Sequence, residues 1–290
     1  MIKLTNLDKV FWPEEGYTKG DVINYYQSIK KIILPYLKNR PMVLNRHPNG
    51  ILGKSFFQKQ IGAHTPSFIE TVNVEHSHKI VTYLMVQNIE TLLYVANLGC
   101  IELNPFHAQV MNLNNPTYMI LDLDPEQVSF LGVVEVALSI HALLEEVGIK
   151  NYCKTSGGRG LHIYIPLAGA YDFAQSQNLA HLIGIIIESK HQELVSLARL
   201  PKERQNRVYI DYLRNSRHQT VAAPYSLRPK PHAPVSTPLS WDEVNPKLNP
   251  LDFNIKTIPE RIKKVGDFFK PVLGPGINIE KSLKLLEKFI

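Results

Sequence analysis

The stretch Tyr118-Met-Ile-Leu-Asp122-Leu-Asp124-Pro125 constrains this chain more than any other, because it sets two carboxylates two residues apart at the end of an apolar run. In a β-strand successive side chains face opposite ways, so Asp122 and Asp124 would share one face while Leu121 and Leu123 turn to the buried one. Two ionised carboxylates side by side repel, and a divalent metal is the commonest counter-charge. Pro125 stops the strand and leaves the pair at its carboxyl end, where ligands tend to collect. The same D-x-D is compatible with two aspartates solvated in a turn, so its meaning depends on what else the chain supplies.

Upstream, Thr18 can cap a helix expected to run to about Leu34, with Val22, Ile23, Tyr26, Ile29 and Ile33 on one face and Pro35 and Pro41 ending it. Lys9 and Lys19 flank the turn before it, either as solvated lysines or as an anion site at a helix start. A strand over 41–46 leads to the turn Pro48-Asn49-Gly50 and then to Phe56-Phe57. Adjacent phenylalanines in a strand cannot face one core, so either one stacks on a nucleobase or both faces of the strand are covered. Over 65–109 the pattern is mixed: a strand at 79–83, a short helix at 89–98 and a strand at 100–103. His76 and His78 form an H-x-H without a further Cys/His cluster and read as an exposed loop.

Downstream of the opening strand, Phe130, Val133, Val134, Ala137, Leu138, His141, Leu144 and Val147 mark a helix of about eighteen residues, with Gly148 at its C-cap. Strands at 151–156 and 161–166 are joined by Gly157-Gly158-Arg159-Gly160. Such a turn exposes backbone N–H groups that can cradle phosphate, and Arg159 and His162 bring charge or donors to the same place. Asp172 and Gln175 form a capping box for a long apolar helix expected to reach about Leu200. The run 207–215 repeats the opening theme, an apolar strand ending in Asp211, which is either a third carboxylate of a two-metal cluster or a plain strand end. The proline-rich stretch 224–250 is expected to be an extended segment wrapping the core, and an amphipathic helix near 279–289 closes the chain.

Length and composition set outer limits. At 290 residues the chain is one large domain or two small ones, without a run of roughly 18 apolar residues that would suggest a membrane span. The first residues lack the apolar core of a signal peptide, so a cytosolic protein is expected. Cys100 and Cys153 are the only cysteines, too few for a disulfide framework or a four-cysteine zinc site. A net charge of +6 favours a polyanionic partner.

Three acidic strand ends, a glycine-arginine turn and dispersed basic residues together describe a pocket for divalent metal, triphosphate and a polyanionic strand, the requirements of nucleotidyl transfer. On Asp122-Leu-Asp124, Ser156-Gly-Gly-Arg159-Gly-Leu-His162 and Asp211, in that order and spacing, the chain resembles the archaeo-eukaryotic primase superfamily, and within it the polymerase domain of bacterial DNA ligase D and its stand-alone relatives. The resemblance covers nearly the whole chain. It implies an α+β primase-polymerase fold, with a central mixed or antiparallel sheet, an RRM-like catalytic core, flanking helices and a smaller N-terminal subdomain. The implied organisation is a single domain over 1–290, of which about 1–115 binds DNA ends and about 116–290 is the catalytic core.

The resemblance also implies roles. Asp122, Asp124 and Asp211 would be catalytic and hold two Mn2+ or Mg2+ ions. Ser156, Arg159 and His162 would contact the incoming triphosphate, helped by Arg214 and Arg228. Lys9 and Lys19 would hold the 5′-phosphate of a DNA end, Phe56 and Phe57 would stack on the template, and Arg46 would supply a further basic contact. Asn104 is a departure, since many ligase-fused relatives carry histidine there, near the nucleotide sugar, and it bears on the strength of ribose discrimination. The implied activity is template-directed addition of nucleotides, preferably ribonucleotides, at short gaps or broken ends in non-homologous end joining.

Implied partners are 5′-phosphorylated DNA, NTP or dNTP, and a DNA ligase and the Ku end-binding protein in trans, at the nucleoid and without a membrane. No segment corresponds to ligase or phosphoesterase domains, so a separate polypeptide or an excised domain is expected. Two rival readings are a non-catalytic DNA-end-binding module that kept the fold, and a haloacid-dehalogenase-type phosphatase suggested by Leu-Asp-Leu-Asp-Pro. In the second, the motif would sit nearer the N-terminus and the glycine-arginine hairpin would have no task.

Overall fold

The computed structural model describes residues 2–62 and 64–290. The fold is α+β, and its chain divides into two compact units. One comprises residues up to 111 with 220–237 and 251–267; the other comprises 112–219, 238–250 and 268–290. The proline-rich stretch 224–250 is therefore shared between the two units. No helix among the described residues is long and apolar enough to cross a membrane.

The first unit opens with β1 (Val10–Trp12), β2 (Tyr17–Thr18) and α1 (Lys19–Leu37), followed by β3 (Met42–Arg46), β4 (Phe56–Gln58), β5 (Thr71–Glu75), β6 (Ile80–Leu84), α2 (Ile89–Asn97), β7 (Cys100–Pro105) and β8 (Ala108–Gln109). Its main sheet has the order β4-β3-β7, and β5 and β6 form a separate hairpin. Helix α1 starts where expected because Thr18 accepts from the Asp21 N–H while Asp21 accepts from the Thr18 N–H. Pro35 does not end it near Leu34 as expected: the helix runs through it to Leu37, because a proline in the last turn removes only one ladder bond.

The second unit contains β9 (Asn112–Pro116), β10 (Tyr118–Pro125), α3 (Phe130–Glu146), β11 (Tyr152–Thr155), β12 (Leu161–Pro166), α4 (Phe173–Lys190), β13 (Val195–Ser196), β14 (Val208–Asp211) and β15 (Pro238–Leu239). Helix α5 (Thr257–Val265) belongs to the first unit and α6 (Ile279–Leu286) to the second. The six-stranded sheet has the order β13-β14-β10-β12-β11-β15 and is mixed, since only β13 runs parallel to its neighbour. On one face, Leu121, Leu123, Cys153, Ile163, Ile165 and Ile210 are fully buried.

Two expectations are corrected here. Helix α4 ends at Lys190 instead of near residue 200, because the chain turns on the His191 carbonyl, which accepts from Leu194 and Val195 N–H, to lay β13 beside β14. The proline-rich stretch is not purely a wrapping segment: Pro238 and Leu239 pair with β11 as an edge strand, the one sheet position where proline's missing N–H is harmless.

Strand β14 stops at Asp211, but β10 continues past it, and the exposed ladder is closed by a side chain. Asn215, buried in the 3-10 turn Tyr212–Asn215, accepts from the Ile120 N–H at 2.8 Å and donates to the Ile120 and Tyr212 carbonyls at 2.7 and 3.0 Å. Asn215→Ala should leave buried Ile120 groups unpaired and cost about 2–4 kcal/mol, on the order of 1–3 kcal/mol per orphaned group, read as a lowered urea midpoint at unchanged slope.

Candidate active site

The register of β10 builds the site. Asp122 is the cross-strand partner of His162 on one side and of Asp211 on the other, and His162 is in turn the partner of Lys154 on β11. Lys154, His162, Asp122 and Asp211 therefore form one row across four strands, on the face opposite the apolar one. Asp124 lies two residues along on the same face, opposite Tyr209.

The row is joined by short contacts. His162 Nε2 lies 3.2 Å from Asp122 Oδ1, and its Nδ1 lies 2.9 Å from Lys154 Nζ. Arg214, on the turn after β14, donates Nε to Asp122 Oδ2 at 3.0 Å and lies 3.2 Å from Asp211 Oδ2. Burial alone would raise the Asp122 pKa, but the His162 ring and the Arg214 guanidinium together hold it well below the usual carboxylate range. Asp124 has weaker help: burial first, then repulsion from Asp122, pushes it up to about 6 against the partial relief of Arg214. Asp211 is also raised, by burial and by Asp122, with Arg214 opposing. Beside Asp211 a cleft is lined by Arg199, Arg204, Tyr209, Arg214 and Gln219.

The glycine-rich turn between β11 and β12 sits at the end of the same face. Gly157 takes φ +69°, and a Cβ at Gly160 would overlap the Leu123 carbonyl oxygen, so both glycines are required by geometry. The Ser156 hydroxyl accepts from Gly158 and Gly160 N–H, each at 3.1 Å. Two of the N–H groups expected to face a phosphate are thus occupied, and Ser156 serves to hold the turn's shape. Arg159 projects to solvent beside it.

The remaining expected residues lie in the other unit. Lys19 is nearly buried and donates to the Thr5 carbonyl at 2.6 Å, while exposed Lys9 donates to Asn49 Oδ1. Burial, and then the charge of Lys9, lower the Lys19 pKa. The helix start itself is not an open anion site, because the N–H groups of Lys19, Gly20 and Asp21 are taken by Lys9 O, Leu7 O and Thr18 Oγ1. Phe56 and Phe57 are 47% and 62% exposed, so neither is covered, and the Arg46 guanidinium stands 5.1 Å from the Phe56 ring centre. Arg228 Nε donates to Glu102 at 2.9 Å, and Asn104 is buried with its Nδ2 unpartnered.

Sequence reasoning missed Lys154, which is fully buried. Strand alternation could have found it, since a lysine eight residues before His162 across a four-residue turn shares its face. Among the described residues no three His, Cys, Asp or Glu side chains are arranged to hold a metal ion, and the Arg214 guanidinium lies between two of the carboxylates instead. The donor set nevertheless fits divalent cations: three acids with opposed pKa shifts crowd together, and buried Asp122 Oδ1 has no well-directed hydrogen bond. Asp122, Asp124 and Asp211 are the residues that could hold them.

Comparison with known proteins follows the same lines. The family model described as "LigD, primase-polymerase domain" matches residues 18–269. The multifunctional non-homologous end joining protein LigD of Mycolicibacterium smegmatis is 32% identical over 93% of this chain, and the bifunctional LigD of Bacillus subtilis is 34% identical over 93%. The chain covers 36% and 44% of those relatives, less than half of either. Among solved structures, the polymerase domain of Mycobacterium tuberculosis ligase D in complex with DNA matches with TM-score 0.88 and 30% identity, over 96% of this chain and 99% of that one.

The charge crowding has a measurable consequence in metal-free protein. A carboxylate whose folded pKa is raised destabilises the fold once pH rises above its unfolded value, with the full cost present above the folded one, here about 6 for Asp124. Asp124→Asn should therefore raise the melting temperature by a few degrees at pH 7.5, about 1–2 kcal/mol, with the gain fading as pH is lowered from about 6 and gone below about 4. Scanning calorimetry of both proteins without divalent cations across that range checks it.

Proposed function

The chain belongs to the LigD primase-polymerase domain family, a family of DNA-directed nucleotidyltransferases, and on that premise we propose that it extends 3′ ends at short gaps and broken DNA ends in non-homologous end joining. Family membership removes the phosphatase reading. The observation that carries the proposal is the placement of Asp122 directly opposite Asp211, with Asp124 on the same face and the glycine-rich turn at its end.

In this reading the primer 3′-hydroxyl attacks the α-phosphorus of the incoming nucleotide and pyrophosphate leaves. Asp122, Asp124 and Asp211 would hold two divalent ions, Mn2+ or Mg2+, which when bound supply charge stabilisation at the attacking and leaving oxygens. Arg214 bridges Asp122 and Asp211 and its side chain is 35% exposed, so its guanidinium would also be able to offer donors to the triphosphate. Arg159 and the two N–H groups of the turn not engaged by Ser156, those of Gly157 and Arg159, would meet the phosphates, with His162 donating from beneath.

Asn104, with a buried amide nitrogen that has no partner, and Arg228, tethered to Glu102, would be the further nucleotide contacts that membership of the family implies, and a preference for ribonucleotides would follow from it too. On DNA, Lys9 and Lys19 would take the 5′-phosphate, Phe56 and Phe57 would stack on template bases, and Arg46 would contact the backbone. A ligase and the Ku end-binding protein would act with it, at the nucleoid.

Extension of a gapped duplex bearing a 5′-phosphate, with manganese and either ribo- or deoxyribonucleoside triphosphates, tests the proposal. Extension with a preference for ribonucleotides is the expected result, and binding without extension would leave a DNA-end-binding module in its place. Asp122→Ala should abolish extension, by at least a thousandfold, while binding to the same DNA in a mobility-shift assay changes little. Lys9→Ala, at an exposed side chain, should reduce the preference for a 5′-phosphate over a 5′-hydroxyl end about tenfold, measured by competition at low salt.

A further inference from the structure

Lys154 is fully buried on the site face of the sheet, where an apolar side chain would pack without the several kcal/mol that desolvating an ammonium costs. Its Nζ is surrounded by electron-rich groups: His162 Nδ1 at 2.9 Å, the Thr155 carbonyl at 3.5 Å and the Tyr164 ring, whose centre is 5.6 Å away. Lys154 taken as an ammonium has three donors and no acceptor, and its contact to Nδ1 then uses a lone pair on that nitrogen. In that arrangement the ring proton sits on Nε2, 3.2 Å from Asp122 Oδ1. The cross-strand registers Lys154 to His162 and His162 to Asp122 place the three groups in line without any backbone irregularity.

We propose that Lys154 is a positioning residue that fixes His162 in the neutral tautomer with its proton on Nε2, so that His162 acts at the site as a hydrogen-bond donor and not as a base. The chemistry it serves is the nucleotidyl transfer proposed above, and in that sense it rests on that reading. A donor held at this point steadies Asp122 and meets an oxygen of the triphosphate as the leaving charge develops. It carries out no proton transfer, because its only basic nitrogen is turned away from the carboxylates and occupied by Lys154.

The tautomer is read directly by nitrogen-15 NMR of the histidine rings in metal-free protein without nucleotide, with His162 assigned by the signals lost in His162→Gln. The expected spectrum has a pyridine-type Nδ1 and a pyrrole-type Nε2. The opposite assignment, or a doubly protonated ring, overturns the proposal whatever the protein's activity. In Lys154→Met the Nδ1–H tautomer should become populated and kcat for nucleotide addition should fall about tenfold. The melting temperature should hold or rise, and KM for the gapped DNA should not change.

Lys154→Gln keeps a donor and should retain the wild-type ring pattern and most of kcat, and it serves as the comparison if the methionine variant does not fold. In a His162→Gln background, replacing Lys154 by Met should have no further effect on kcat. Unchanged ring signals and unchanged kcat in Lys154→Met would reduce the lysine to packing. The expected spectrum from a protein that never extends DNA would instead preserve the positioning role and refute the nucleotidyl-transfer reading.

Discussion

The antiparallel register of β10 against β12 and β14 is the constraint on which the site depends. Strand side chains alternate with period two, so a slip of one residue in either pairing would send Asp122 and Asp124 to the apolar face and Leu121 and Leu123 to the polar one. Such a slip would bury two carboxylates among Cys153, Ile163 and Ile210, which no available counter-charge could offset. The hydrophobic face therefore specifies the register, and the register aligns lysine, histidine and two aspartates across four strands. Fold and site are consequences of one choice of pairing.

That alignment concentrates charge where solvent cannot dissipate it, and the fold handles the conflict unequally. Asp122, at the centre, receives His162 and Arg214 and stays ionised; Asp124 and Asp211 receive less and are pushed upward. A set of acids pulled apart in this way binds cations more readily than a set fully neutralised by arginines, because part of its repulsion remains to be relieved. Arg214 is suited to an interim role: it is on a short turn held by Asn215, and its Nε can face Asp122 and Asp211 at once.

Much of this was legible in the residues because it followed local rules. The D-x-D spacing, the cap at Thr18, the capping box at Asp172 and the three-glycine turn each express a short-range requirement of backbone or side-chain geometry. What was not legible depended on distant partners. An apolar run such as that after Lys190 fits a buried helix or a buried edge strand equally well, and only β14 decides between them. The Ser156 hydroxyl looked available for phosphate, but Gly158 and Gly160 N–H are nearer and claim it. Lys154 gives no short-range signal beyond its place in a strand, because its partner His162 lies on the next one.

The basic residues of the other unit differ in whether their restraint also cancels their charge. Arg46 is held by the Leu98 carbonyl and Gln58, Lys19 by the Thr5 carbonyl, and Lys9 by the Asn49 amide oxygen. All of these acceptors are neutral, so each cation is ordered without being paired to an opposite charge, and part of the entropy of ordering it is already spent. Arg228 is held by the Glu102 carboxylate, which neutralises it as it orders it. Lys9, Lys19 and Arg46 therefore contribute unpaired positive charge to the field of their unit, while Arg228 contributes little to it. The choice of neutral or charged tether thus separates cations that keep a long-range field from one whose charge is paired where it stands.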